Sequence, residues 1–539
     1  MMVVAGLLFA YANAVLGYAV TAPLSLDKLT AEADMIFKGT TVSSEPVQDD
    51  WFKLRQGFVA QETQFKVISV IKGDTLVEKL LFRHYDESPV PQGRMFQPQF
   101  YHFVPGRTYI VFAKQTGTAV VFRQLSASHT GKKDQGVVWC SDNNPVTAKT
   151  VKEVLWNELT ASLNNASVSN VIYGIRQLDQ MSSGDQGGRW HAFDSTQDFD
   201  RSDVLTAIQN LMTNQDSAIA QSAITVVGSR NPYLSDERTE YWLATIGSAE
   251  MPGIGKMDSK MKNPGGEKYW RDLVALADCK GQVETRALAI RALGLIREPS
   301  LRESITRWLA DTKPAVRASA TLLLADFPEP DAIRQLTTLA SDSSPDVRAC
   351  VAHAIGFAQQ VKLANILGQL LTDKESQVRK AAAMSLLSFS PKNDAIAEVF
   401  RANLDTAEFQ PLFLNALASE KPESYRDGLA ETVEKKTEPI NWWGGQIPAF
   451  RAWELLFKYL QAQPAETVRS GKLDRYLDAL EQVGNYSSSE PRDIYAFYIQ
   501  RGMTERAKKF RETAKQRVSY NLDYFFNMVD TNPALYKRE

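Results

Sequence analysis

The stretch SDSSPDVRACVAHAIGFA, residues 341–358, places an Asp in a short polar turn, an Arg six residues later, and then a run of small apolar residues. The same order recurs in LADTKPAVRASATLLLADF (309–327) and LTDKESQVRKAAAMSLLSF (371–389), and more loosely in ETRALAIRALG (284–294). Arg286, Arg317, Arg348 and Arg379 thereby stand 31 residues apart. Self-similarity at that period in helical sequence predicts a solenoid of helix pairs, each with a helix A (333–341 in the quoted unit), a turn, and a helix B (347–358). In the turn, Asp311, Asp342 and Asp373 can accept backbone N–H groups at the start of helix B, where donors lack partners and the helix dipole favours negative charge. An Arg in the first turn of helix B can then reach that Asp or its equivalent in the adjacent unit. Stacked helices at spacings of about 8–10 Å need small side chains, which accounts for the alanines. The Asp and Arg residues read as a structural brace rather than as the acid and cation of an active site, because groups repeated once per unit serve the unit.

These residues resemble the HEAT repeat, in its short bacterial, PBS-lyase-like form with an Asp, then Val-Arg, then spaced alanines. The match runs over about 273–390, and more loosely over 204–228, where Ala220 stands in place of the Arg. The resemblance implies that helix B lines the concave side. With Val316, Val347 and Val378 as buried reference points, six residues on come Leu322, His353 and Met384, with Arg291 in the preceding unit and Lys380 two residues after Val378. This column is expected to form a shallow, mildly apolar groove suited to a peptide or protein segment rather than to a phosphate backbone. The alternative is that the stripe packs against neighbouring helices.

Upstream, short runs rich in β-branched and aromatic residues recur at 35–42, 62–73, 79–85, 108–114 and 119–125. Their spacing predicts a small antiparallel β-barrel or sandwich of five or six strands, with 86–107 as a long loop. The order AEADMIFKGTTVSS, ETQFKVISVIKGD, FVPGRTYIVFAK resembles the secreted, OB-like barrel of the netrin and tissue-inhibitor-of-metalloproteinase modules as found in bacterial proteins. Those inhibitors rely on an N-terminal cysteine and several disulfides that are missing here, so protease inhibition is not implied.

The first charge in the chain is Asp27, and MMVVAGLLFAYANAVLGYAV reads as a secretory signal peptide over 1–22, or as a membrane anchor. The expected organisation is multidomain α+β: 1–22 signal, 23–147 barrel, 148–430 solenoid with loop insertions at 182–201 and 247–268, and 431–539 a helical cap. In the cap, Trp442, Trp443, Phe450, Trp453 and Phe457 are expected to cover the solenoid end. The run from Arg492 to Arg517 offers a basic helix that could touch anionic lipid or an acidic partner, the alternative being a plain solvated helix.

A net charge of −2 provides no field for nucleic acid. Three cysteines, Cys140, Cys279 and Cys350, fit neither a metal knuckle nor a disulfide scaffold. No nucleophile elbow, zinc-protease, dinucleotide or phosphate-loop motif occurs, and the five histidines lack metal-ligand spacing. His84 and His102 flank the long loop and are expected at the surface. No cofactor is expected. The reading is a non-catalytic secreted or periplasmic scaffold for a protein or peptide partner. The competing class is an enzyme or accessory subunit with a cleft between barrel and solenoid, built on loops 86–107 and 182–201.

Overall fold

Residues 24–53, 57–74, 77–88, 98–117, 120–127, 135–182, 197–228, 231, 233–235, 239, 263–327, 330–406, 408–435, 448–482, 489–517 and 522–532 are described by a computed structural model. The segment expected to be a signal peptide, Trp442, Trp443 and most of both expected insertions lie outside them. The chain divides into two compact units, 1–230 and 231–539.

The first unit opens with a short helix, α1 (Leu26–Glu32), whose Ser25 hydroxyl accepts the Lys28 N–H. Six strands follow: β1 (Met35–Pro46), β2 (Phe58–Lys72), β3 (Lys79–Glu87), β4 (Thr108–Gln115), β5 (Val121–Arg123) and β6 (Val137–Trp139). β1 pairs with β2 on one edge and with β4 on the other, from Met35 opposite Ala113 to Thr40 opposite Thr108, so the circuit β1-β2-β3-β5-β4 returns to β1. The circuit closes only through the three-residue β5. β6, which no strand pattern signalled, shares the β4 edge with β5. The expectation of an all-antiparallel sheet is corrected at one place, since β3 and β5 run parallel, Leu81 opposite Val121.

Alternation along β1 explains its continuous burial. Met35 and Phe37 face an aromatic core with Phe65, Phe82, Phe103 and Tyr109, whereas Ile36 and Lys38 point to the other face and are equally buried. That outer face is held by helix α2 (Val151–Ser162), which begins with a reciprocal Thr150/Glu153 capping box and supplies Glu158 to Lys38. Helix α3 (Val168–Ser182), α4 (Arg201–Ile208) and α5 (Ser217–Val227) complete the unit. Arg201 joins them, donating to Asp179 of α3 at 2.6 Å and to the Val226 carbonyl of α5 at 2.6 Å.

In the second unit, helix pairs succeed one another: α6 (Pro264–Asp278) with α7 (Val283–Ala292), α8 (Leu301–Leu309) with α9 (Pro314–Leu323), α10 (Pro330–Leu339) with α11 (Pro345–Phe357), α12 (Ala364–Leu370) with α13 (Ser376–Leu387), and α14 (Asp394–Ala402) with α15 (Gln410–Ala418). The start of α6 corrects the expected loop 247–268, whose last residues are helical from Pro264. The second helices of successive pairs stack side by side. Ala320, Ala352, Ala354, Ala382 and Ala383 are fully buried in that stack, where a larger side chain would hold the backbones apart.

After α15 the chain forms α16 (Pro422–Lys435), α17 (Pro448–Gln461), α18 (Ala465–Arg469), α19 (Asp474–Glu481), α20 (Ser489–Gln500), α21 (Thr504–Arg517) and α22 (Asp523–Thr531). Trp453 is fully buried and stacks on Phe457 at 5.0 Å, so these two rings are core. The expected continuous basic helix is instead two helices, and three of its cations form ion pairs with other elements of the fold. Arg506 meets Asp474, Asp478 and Glu481, Arg511 meets Asp523 and Asp530, and Lys515 meets Asp523. Among the described residues no helix is long and apolar enough to cross a membrane.

Candidate functional site

The repeated Asp and Arg form a ladder that runs between units. Arg317 Nε and Nη2 donate to the two carboxylate oxygens of Asp342 at 3.0 and 2.8 Å, while Nη1 donates to the Asp311 carbonyl of its own turn at 2.9 Å. Arg348 repeats the pattern on Asp373, at 2.7 and 2.9 Å, with the Asp342 carbonyl at 2.8 Å. Arg286 reaches Asp311 at 2.6 Å. Arg379, where the register ends, uses Glu408 at 2.8 Å, and Asp373 has no counterpart one period on, where Leu404 stands. Each aspartate also accepts the N–H two residues later, as Asp342 does from Ser344 at 2.8 Å. One carboxylate thus closes its own turn and anchors the preceding unit's Arg.

Burial raises the Asp342 carboxyl, but the Arg317 guanidinium and the Ser344 N–H outweigh it and hold the group below its ordinary value. The Arg348 guanidinium holds Asp373 low in the same way. The charges are fixed ion pairs, which suits bracing and leaves none poised for proton transfer.

The column expected to face a partner lies elsewhere. Leu322, His353 and Met384 are 0%, 4% and 3% exposed, and only Arg291 and Lys380 are half-buried. They are buried where the second helices stack side by side, which is the packing alternative. Asn231 and Tyr233 lie across the C-terminal ends of α7, α9 and α11. The Asn231 amide donates to the Arg291 carbonyl, the Tyr233 hydroxyl to Asp326 at 3.2 Å, and the Tyr233 ring meets Phe357 edge-on at 5.0 Å. Arg291 itself donates to Ser319 Oγ at 3.3 Å. A Cβ on Gly294 would fall 2.2 Å from the Tyr233 ring, so only glycine admits this segment. On the second helices, the positions exposed in every repeat are Ala315, Asp346 and Gln377, at the helix start. Two of them touch, Gln377 donating to Asp346 at 2.9 Å.

Asp326 is the functional-looking residue that pattern reading missed. It is 4% exposed, accepts the Leu295 N–H at 2.8 Å, and its carboxyl is pushed up to about 7 by burial. A carboxylate inside the apolar run LLLADF was the available signal.

In the first unit, Lys38 is fully buried, with Asp142 at 2.9 Å and Glu158 at 2.6 Å. Burial opposes its charge, and the two carboxylates more than restore it. Cys140 lies beside them with its thiol pushed well up by burial, which makes it an inert thiol. His84 is not at the surface: it is buried among Phe82 and Phe103, its Nε2 2.8 Å from Thr63 Oγ1. His102 is exposed and lies 3.3 Å from Asp86. Among the described residues no group of three or more His, Cys, Asp or Glu could hold a metal.

Comparison with known proteins bears on the second unit. The HEAT-repeat family model matches residues 271–349, 303–388 and 333–419, so this span carries HEAT repeats. No curated protein matches the chain. Among solved structures it is similar to an engineered protein, 17% identical, over 62% of this chain and 96% of that one, with a TM-score of 0.28. Yeast importin-β is 12% identical over 64% of this chain and 50% of that one, with a TM-score of 0.35. A designed armadillo repeat protein in complex with the peptide (KR)4 is 16% identical over 43% and 98%, with a TM-score of 0.26. Superpositions this loose carry no argument, and the repeat assignment rests on the family match and the ladder.

Proposed function

We propose that this HEAT-repeat chain is a non-catalytic scaffold that holds another protein or peptide on its repeat array, and that it works in the periplasm or outside the cell. One observation carries the reading: the repeated titratable side chains, Asp311, Asp342, Asp373 and their arginine partners, are locked to one another, so the repeats present surface rather than chemistry. The rim beside Ala315, Asp346 and Gln377 is the exposed part of the second helices that repeats with the array. Nucleic acid is a poor fit, because the periodic cations already have carboxylate partners. Export is supported by the uncharged, small-residue-rich opening of the sequence. A netrin-like module for the N-terminal sheet is supported by its β1-β2-β3-β5-β4 circuit, the order of a small Greek-key barrel.

Photo-crosslinkers at 315, 346 and 377 of the full chain, expressed in its own cells, test the scaffold. One and the same protein crosslinked from at least two of the three positions, and competed by unlabelled chain, is the expected result. Crosslinking from none of them, at a level above that of a probe on the N-terminal sheet, removes the reading. Cell fractionation and the N-terminal sequence of the mature chain test export; a cytoplasmic chain that retains Met1 refutes it.

A further inference from the structure

The first unit contains a cavity of about 190 Å³ formed where the chain entering β4 meets β6 and α3. Five rings are in its lining: Tyr101, Phe103, Tyr109, Trp139 and Tyr173. Trp139 and Tyr173 lie 5.0 Å apart and are fixed to each other, since the Trp139 N–H donates to the Tyr173 hydroxyl at 2.9 Å. At the mouth stand two exposed residues, His102 and Arg107. The Arg107 guanidinium lies over the Trp139 ring at 4.4 Å and has no carboxylate within ion-pair distance among the described residues. Its backbone is clamped: the Arg107 carbonyl accepts the Thr41 N–H at 2.9 Å, and the turn before it is closed by Gly106, at φ +79°, donating to the Thr41 carbonyl.

We propose that this cavity binds a small molecule with one aromatic ring and one carboxylate. The volume of this half-open pocket suffices for one ring, since a sealed cavity of about 150 Å³ in another protein holds a benzene. The half-buried Trp139 and Tyr173 offer ring contacts. The guanidinium, already held over the indole, offers a planar two-pronged donor to a carboxylate. His102 faces Asp86 at 3.3 Å, so a carboxylate lies behind it, and the mouth accommodates a monoanion better than a phosphate dianion. Because stacking and the turn fix Arg107 beforehand, little ordering is needed on binding. The proposal is independent of what the repeats hold.

The test is calorimetric or ligand-observed NMR titration of the full chain with phenylacetate, benzylamine, acetate and 2-naphthylacetate. Phenylacetate is expected to bind with a Kd on the order of 0.1–1 mM, as befits about ten heavy atoms. Benzylamine, acetate and the two-ring acid are expected to bind at least tenfold more weakly. Arg107→Gln should weaken phenylacetate at least tenfold, and Arg107→Lys by less, with the melting curve of the unit unchanged. Should Arg107→Gln alter folding, the ligand series on the unaltered chain still decides. Equal binding of phenylacetate and benzylamine, binding unaffected in a folded Arg107→Gln chain, or no binding of phenylacetate at 10 times the expected Kd, each overturns the proposal.

Discussion

Replacing Arg348 by Ala should be the most damaging single change in the ladder, and its cost follows from the geometry. The side chains of Arg348 and Asp373 are 9% and 10% exposed. The substitution removes two charge-assisted bonds to Asp373 and one to the Asp342 carbonyl. It leaves Asp373 with its Glu375 N–H bond, at 2.9 Å, and little access to water. Stranding one partner of a buried pair costs about 3–5 kcal/mol. Since a tenth of the Asp373 side chain still reaches solvent, about 3 kcal/mol is expected. In a stack whose units contact only their neighbours, this loss falls on the interface between α11 and α13. Native-state hydrogen exchange by mass spectrometry should therefore show about a hundredfold loss of protection in peptides from 345–387, because about 1.4 kcal/mol corresponds to a factor of ten. Peptides from the N-terminal sheet should be unchanged. Arg334→Ala is the control: Arg334 and Asp331 also pair, at 2.6 Å, but are 76% and 75% exposed, and the loss should stay below about 0.5 kcal/mol. If both substitutions reduce protection equally, or if Arg348→Ala leaves 345–387 untouched, the ladder is decoration and the reasoning fails.

Asp326 should make the second unit less stable as pH rises. Its folded value near 7 lies above its unfolded value, so its contribution is complete below about pH 4 and is lost as pH climbs through 7. Asp326→Asn should flatten about 2–4 kcal/mol of that slope in denaturant titrations between pH 5 and 8. His84 acts in the opposite direction: burial lowers it to about 4, so the N-terminal sheet keeps full stability above pH 6.5 and loses about 3 kcal/mol as pH falls to 4. His84→Gln should remove that acid sensitivity, read from the aromatic near-UV signal. Lys38→Met, which strands Asp142 and Glu158, should lower the unfolding midpoint of the sheet by the equivalent of about 3 kcal/mol, and adding Glu158→Gln should recover part of it. An additive double substitution would show that the pair is not coupled.

The repeat was legible because its causes are short-range or periodic. A carboxylate, a turn and a guanidinium within six residues define a local clip, and repetition at 31 residues reveals the stacking. Even so, the local reading could not choose between an Arg serving its own turn and one serving the next. Arg348 does both, through the Asp342 carbonyl and the Asp373 carboxylate. The column Leu322, His353, Met384 took the packing alternative, because the second helices stack side by side and a helix's own period does not say which of its faces a neighbour covers. Tyr233 meets Phe357 from 124 residues earlier, at a distance no periodicity encodes. The surface position of His84 failed for a similar reason: its neighbours Phe103 and Thr63 come from another loop and another strand.

By itself, the amino-acid order of this chain determined the helix pairs, their period, five of the six strands of the sheet and the residues that join one repeat to the next. These follow from backbone propensity, side-chain period and contacts a few residues apart. Only the tertiary structure decided which faces stayed open, that Asp326 and Lys38 lie buried with their charges constrained, and that Arg107 and five rings from separate segments enclose one cavity. Burial and convergence depend on where distant segments pack, and that is set by the whole fold rather than by any stretch of it.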